Sequence, residues 1–171
     1  RRENRIFALY LAAAAIWSFT SFMLHFDAFP DQALFWNELL VVALVWALIS
    51  YYHFIRAYVK QPGGIGVFLG YTLVLVLAIL SLTGNIVQYA YVSDGVVSND
   101  LGNSIYFIGA ISLGFIVLVI VQLIRKYRGS IDPTDRNRTM YLISGWNILV
   151  LLTYTNFIPA VAGLPLDHIG S

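Results

Sequence analysis

From Gln61 to Ser93 the chain carries no Asp, Glu, Lys or Arg. Crossing the hydrocarbon core of a bilayer takes about 20 residues of helix, and charge is costly there. Four further apolar stretches follow the same rule. Ile6 to Phe26 has no charged residue, and Leu34 to Ile55 is interrupted only by Glu38 near its beginning. The remaining two run from about Ser104 to Ile124 and from about Thr139 to Phe157. Barrel strands would alternate over about ten residues, so these segments are too long and continuous for them. Without water to satisfy the backbone, helix is the remaining option. The expected fold is an all-α membrane bundle of five transmembrane helices in one domain over residues 1–171. Its spans fall near 6–26, 34–55, 65–84, 104–124 and 139–157.

Composition supports a bilayer over a soluble core. Hydrophobic residues make up 59% and charged ones 11%, where soluble domains carry about a quarter charged. The formal charge of +1 says little about partners, because position matters more than the sum. Cysteine is absent, which removes disulfides and thiolate metal sites from consideration.

The ten Lys and Arg residues orient the bundle. Arg1, Arg2 and Arg5 precede the first span, and Arg56 and Lys60 follow the second. Arg125, Lys126, Arg128, Arg136 and Arg138 lie between the fourth and fifth. With five alternating crossings all ten share one side, and Asp27, Asp31, Glu38, Asp94, Asp100 and Asp167 share the other. The positive-inside rule then predicts Arg1 in the cytoplasm and Ser171 outside, in a multi-pass protein of the inner cell membrane. Asp132-Pro133-Thr134-Asp135 reads as an N-cap, a proline at the first helical position and an acid in the first turn. The connection from Asn85 to Asn103 mixes tyrosines with Asp, Asn, Ser and Gly, and partial order over the helix ends is expected there.

No catalytic or metal-ligand signature is present. His25, His53 and His168 stand apart from one another, and none belongs to a two-histidine helical pair. The expectation is therefore a non-enzymatic region with no cofactor and no metal, which contacts the lipid bilayer and no nucleic acid. Glu38, beside Trp36 and Asn37, supports two readings. Near a helix end it can hydrate at headgroup level, or it can face the bundle interior at a ligand or proton site. Trp36, Glu38, Tyr89, Tyr91, Asp94, Tyr154 and Asn156 share the outer side, as a polar aromatic pocket or as an interfacial belt. Gly109 and Gly114 offer a small-residue packing face, and Asn147 at membrane depth is expected to seek a partner on another helix.

Several short motifs carry a resemblance. Asn4-Arg5-Ile6-Phe7 enters a helix bearing Ala15-Ile16-Trp17, then come Ala33-Leu34-Phe35-Trp36 and Tyr52-His53-Phe54. Arg136-Asn137-Arg138 precedes the last span, and Gly163-Leu164-Pro165-Leu166-Asp167-His168-Ile169-Gly170 follows it. In this order they resemble the N-terminal seven-helix membrane region of bacterial sensor histidine kinases. The resemblance implies helices two to six of seven in a longer chain. It also implies a cytoplasmic output module on that chain, a homodimer and a role in two-component signalling. The family's phosphoacceptor histidine lies in the kinase core, so none of the three histidines here inherits it. A transporter or channel fragment is the alternative; it would require Glu38, His53 and Asn147 to converge on one water-filled path. A membrane enzyme would require acids, histidines or basic residues gathered at one pocket.

Overall fold

The computed structural model describes residues 2–26, 29–84, 86–87, 89–93, 96–100 and 104–155. Side chains at 30, 91–93, 96–100, 104–105 and 152–155 are outside that description. Among the described residues there are five α-helices: α1 (Arg2–His25), α2 (Ala33–Tyr58), α3 (Gly64–Leu82), α4 (Ser104–Gly129) and α5 (Pro133–Thr155). A 3-10 turn, Pro30–Gln32, leads into α2, and a β-hairpin stands between α3 and α4. Four helices are long and apolar enough to cross a membrane: α1, α2, α3 and the Tyr106–Gly129 stretch of α4. The apolar stretch of α5 begins at Met140, after about two polar turns, and the expected span end at 156–157 lies outside the described residues. The chain divides into two compact units, Arg1–Val119 and Ile120–Ser171.

In the first unit α2 is the central helix. Of its most apolar window 61% is buried, against 22% for α1 and 17% for α3. Its apolar residues recur on every face, so no solvent- or lipid-facing stripe is left over its middle. Aromatic pairs join it to α1: Phe7 with Phe54 at 4.9 Å, Tyr10 with Tyr51 at 5.0 Å, and Phe19 with Trp36 at 6.2 Å between centroids. Early residues of α1 meet late residues of α2, so the two helices are antiparallel.

The seam with α3 is tight at two glycines. A Cβ at Gly66 would stand 2.7 Å from Tyr52 Oη, and one at Gly70 would stand 2.8 Å from Ile49 Cγ2. Both contacts are below van der Waals distance, so a side chain at either position would force the α2 side chain facing it to shift. The turn that folds α3 back is a complete Schellman motif. Gln61 N–H donates to Arg56 O at 2.8 Å and Lys60 N–H to Ala57 O at 3.0 Å, with Lys60 in the left-handed region at φ 60°. Arg56 Nε closes the turn by donating to Pro62 O at 2.8 Å.

The connection after α3 forms strands β1 (Tyr89–Ser93) and β2 (Val96–Asp100), paired antiparallel from Tyr89↔Asp100 to Ser93↔Val96. Tyr and Val favour extended backbone. Asp94-Gly95, which stands between the strands in sequence, is a pair suited to tight hairpin turns. That pair is the signal for the hairpin, which the mixed composition of 85–103 had masked.

In the second unit the turn between α4 and α5 is held by its own polar groups. Lys126 Nζ forms an ion pair with Asp135 Oδ2. Ser130 Oγ lies 2.9 Å from Lys126 O and 3.2 Å from the same carboxylate. Thr134 N–H donates to Asp132 Oδ1 at 2.9 Å, so Asp132 caps α5 and Pro133 opens it.

Candidate functional site at the hairpin end of the second helix

Glu38 lies on the stripe of α2 that also carries Val42, Val45 and Ile49, at helical spacings of four, three and four. Those three apolar residues pack with Leu77 of α3 and Ile108 of α4 in one buried cluster. Helix α3 ends at Leu82, and Gly84 turns the backbone with φ +66°. Ile86 and Val87, each 1% exposed, then enter the same cluster. Burying those side chains also buries their backbone N–H groups, which sit in neither helix nor strand and need acceptors. Glu38 supplies one. Its Oε1 accepts from Ile86 N–H at 3.4 Å and from Val87 N–H at 3.5 Å.

The carboxyl is 4% exposed, so it faces the interior of the unit and not the surface. Both bonds are long for a carboxylate acceptor, whose charge-assisted contacts run nearer 2.7–2.9 Å. Among the described residues no ion pair reaches it. Beside it, Asn37 is 2% exposed, and its Nδ2 and the half-buried Trp36 Nε1 have no hydrogen-bond partner among the described residues. This end of α2 therefore holds three consecutive polar side chains under cover, with unspent hydrogen-bonding capacity. Buried polar groups are usually paired, and an exception needs an explanation.

Of the seven residues expected on one polar surface, side chains are described for three. Trp36 packs edge-on against Phe19 and Phe35. Glu38 lies beneath Ile86 and Val87, and Tyr89 at the start of β1 is 52% exposed. Tyr91 is on β1 and Tyr154 on α5, with their side chains undescribed; Asp94 and Asn156 lie outside the described residues.

The packing residues also fall differently. A Cβ at Gly109 or Gly114 would meet nothing within 4 Å, so neither glycine permits a close contact among the described residues. The close approach is at Gly66 and Gly70, which the sequence reading passed over. Their G-x-x-x-G spacing, in Gly66-Val67-Phe68-Leu69-Gly70, was the available signal. Asn147 Nδ2 donates 2.8 Å to Ile143 O of its own helix rather than to another helix. An amide side chain can back-bond to its own helix in this way.

His53, half-buried, reaches across the α2–α3 seam, its Nδ1 3.2 Å from Tyr71 Oη. Tyr51 and Tyr52 beside it are 4% and 2% exposed. His53 thus contacts α3, Tyr51 packs on Tyr10 of α1, and Tyr52 on Phe115 of α4. Among the described residues no group of three or more His, Cys, Asp or Glu gathers as a metal-binding set.

The arrangement is that of a transmembrane helix with polar ends and interlocked neighbours. Comparison with curated proteins and with solved structures gives no match. The family model described as the N-terminal 7TM region of histidine kinase matches residues 1–168, nearly the whole chain. With its long apolar helices, the chain belongs to this family, the membrane-embedded sensor region at the N-terminal end of histidine kinases.

Proposed function

We propose that this region is the non-catalytic input of its kinase, taking a stimulus at the hairpin side of the membrane or within it. The hairpin side is the outer face, and the side bearing the ten basic residues is cytoplasmic. The signal leaves through the rest of the chain toward a cytoplasmic output module.

The observation that carries the reading is Glu38. It ties the backbone of the connection at Ile86 and Val87, 48 and 49 residues away in sequence, to the most buried helix of the unit. A stimulus that moves the connection must move or break that tie. Helix α2 continues from there to His53 and Arg56, where it is bonded to α3 and to the turn. A change at one end can thus reach the other through one rigid element. Such transmission requires a stimulus that binds two packings with different affinity.

The test is the autophosphorylation of the full-length kinase in membrane vesicles, with Glu38→Ala and Glu38→Gln. Removing the acceptor takes a buried carboxylate contact from the backbone N–H groups of Ile86 and Val87, a loss of about 1–3 kcal/mol. Allosteric couplings span about 5- to 150-fold. Glu38→Ala is therefore expected to change basal output by about fivefold or more, and Glu38→Gln by less, because its amide oxygen still accepts. Wild-type output from a correctly inserted Glu38→Ala protein would remove Glu38 from the signalling path.

A further inference from the structure

The α4–α5 turn engages both of its acids in its own contacts and leaves its arginines exposed. Between Arg125 and Arg138 stand five basic residues and two acidic ones. Asp135 is taken by Lys126 and approached by Ser130, and Asp132 is taken by the first turn of α5. Arg125, Arg128, Arg136 and Arg138 are all exposed, and among the described residues none is paired with a carboxylate. Arg136 lies 4.6 Å above the ring of Tyr127, which holds its guanidinium against the helix pair.

Their depth is as telling as their charge. Arg125 and Arg128 follow Ile124, and Arg136 and Arg138 precede Met140. At 1.5 Å per helical residue all four lie within about 6 Å of the apolar segments. The headgroup layer is about 5–8 Å deep on each side of the hydrocarbon. Guanidinium groups bind phosphate in a two-pronged fashion that ammonium cannot match, and the four exposed cations here are all arginine.

We infer that the α4–α5 turn is a binding surface for anionic phospholipid headgroups. The Lys126–Asp135 pair acts as a strut that fixes the turn, and the four arginines engage lipid phosphate. The surface gives the sensor region a dependence on membrane composition that is separate from any stimulus at the hairpin side.

The test uses the full-length kinase in nanodiscs of phosphatidylcholine and phosphatidylglycerol in equal parts. A photoactivatable phosphatidylglycerol is compared with its phosphatidylcholine counterpart, and crosslinks are mapped by peptide mass spectrometry. The anionic probe is expected to label the Arg125–Tyr141 region several-fold more, and the excess should fall as salt rises. Each single Arg→Gln replacement among the four should remove part of that several-fold preference. The quadruple Arg→Gln variant should label both probes alike, while quadruple Arg→Lys retains part of the preference. Should the quadruple variant fail to insert, the pairs R125Q/R128Q and R136Q/R138Q carry the comparison. Equal labelling of the wild type by both probes, or an undiminished preference in the Gln variants, overturns the proposal. Equal labelling would assign the arginines instead to an acidic protein surface.

Discussion

Gly70 and Gly114 each sit inside an apolar helix, yet their surroundings ask different things of them. A methyl group at Gly70 would press on Ile49, whose side chain is fully buried and has nowhere to retreat. Gly70→Ala is expected to destabilise the bundle by about 1–3 kcal/mol, the range for overpacking. Gly114→Ala meets open space and should stay within about 0.5 kcal/mol. Thermal unfolding of both variants in detergent, followed by circular dichroism, separates them. Equal melting points would mean that the α2–α3 seam is looser than its geometry. A large loss at Gly114 would instead mean that this face packs against a surface beyond the described residues. Gly109 and Gly114 drew the packing expectation because they stand with other small residues, Ala110 and Ser112, inside a span. Gly66 and Gly70 lie inside the third span, at an i, i+4 spacing that marks a close-packing face only once a neighbouring helix is known. Glu38 was legible as an anomaly, an acid in an apolar run. Its partners were not, since backbone N–H groups are supplied by every residue and leave no mark in sequence.

At the scale of elements, helices were legible and the connections were not. Charge-free stretches mark helices because the cost of a buried charge is large and independent of neighbours. The hairpin depends on cross-strand pairing between Tyr89–Ser93 and Val96–Asp100, which composition expresses weakly. The α2–α3 turn holds another departure from local preference. Its Schellman motif needs a left-handed residue at Lys60, a position where glycine is usual. A non-glycine residue there costs about 1–2 kcal/mol, and glycine gives back part of that through its greater unfolded-state entropy. Lys60→Gly is therefore expected to raise stability by about 0.5–1 kcal/mol in the same melts. A lower melting point would show that the Lys60 side chain contributes more than its backbone costs.

At the scale of the molecule, the arrangement of basic residues is a claim about sidedness that labelling can test. The chain has no cysteine, so each single substitution provides one thiol. Phe29→Cys lies between α1 and α2, Gln61→Cys between α2 and α3, and Ile131→Cys between α4 and α5. All three positions are exposed. A membrane-impermeant maleimide added to intact cells should label Phe29→Cys, and should reach Gln61→Cys and Ile131→Cys only after permeabilisation. The last two are expected to share a side, because α3 and α4 lie between them in the chain and each is long and apolar enough to cross. Labelling of Gln61→Cys and Ile131→Cys from opposite sides would remove one of those crossings and scatter the basic residues across both faces. Helix α5 carries the remaining question, since its first turns are polar and its apolar stretch begins only at Met140. Asp167→Cys addresses it. Labelling from outside makes α5 a full crossing, and a further helix must then return the chain to a cytoplasmic kinase. Labelling only after permeabilisation makes α5 a helix that does not cross, and the output module could follow it directly.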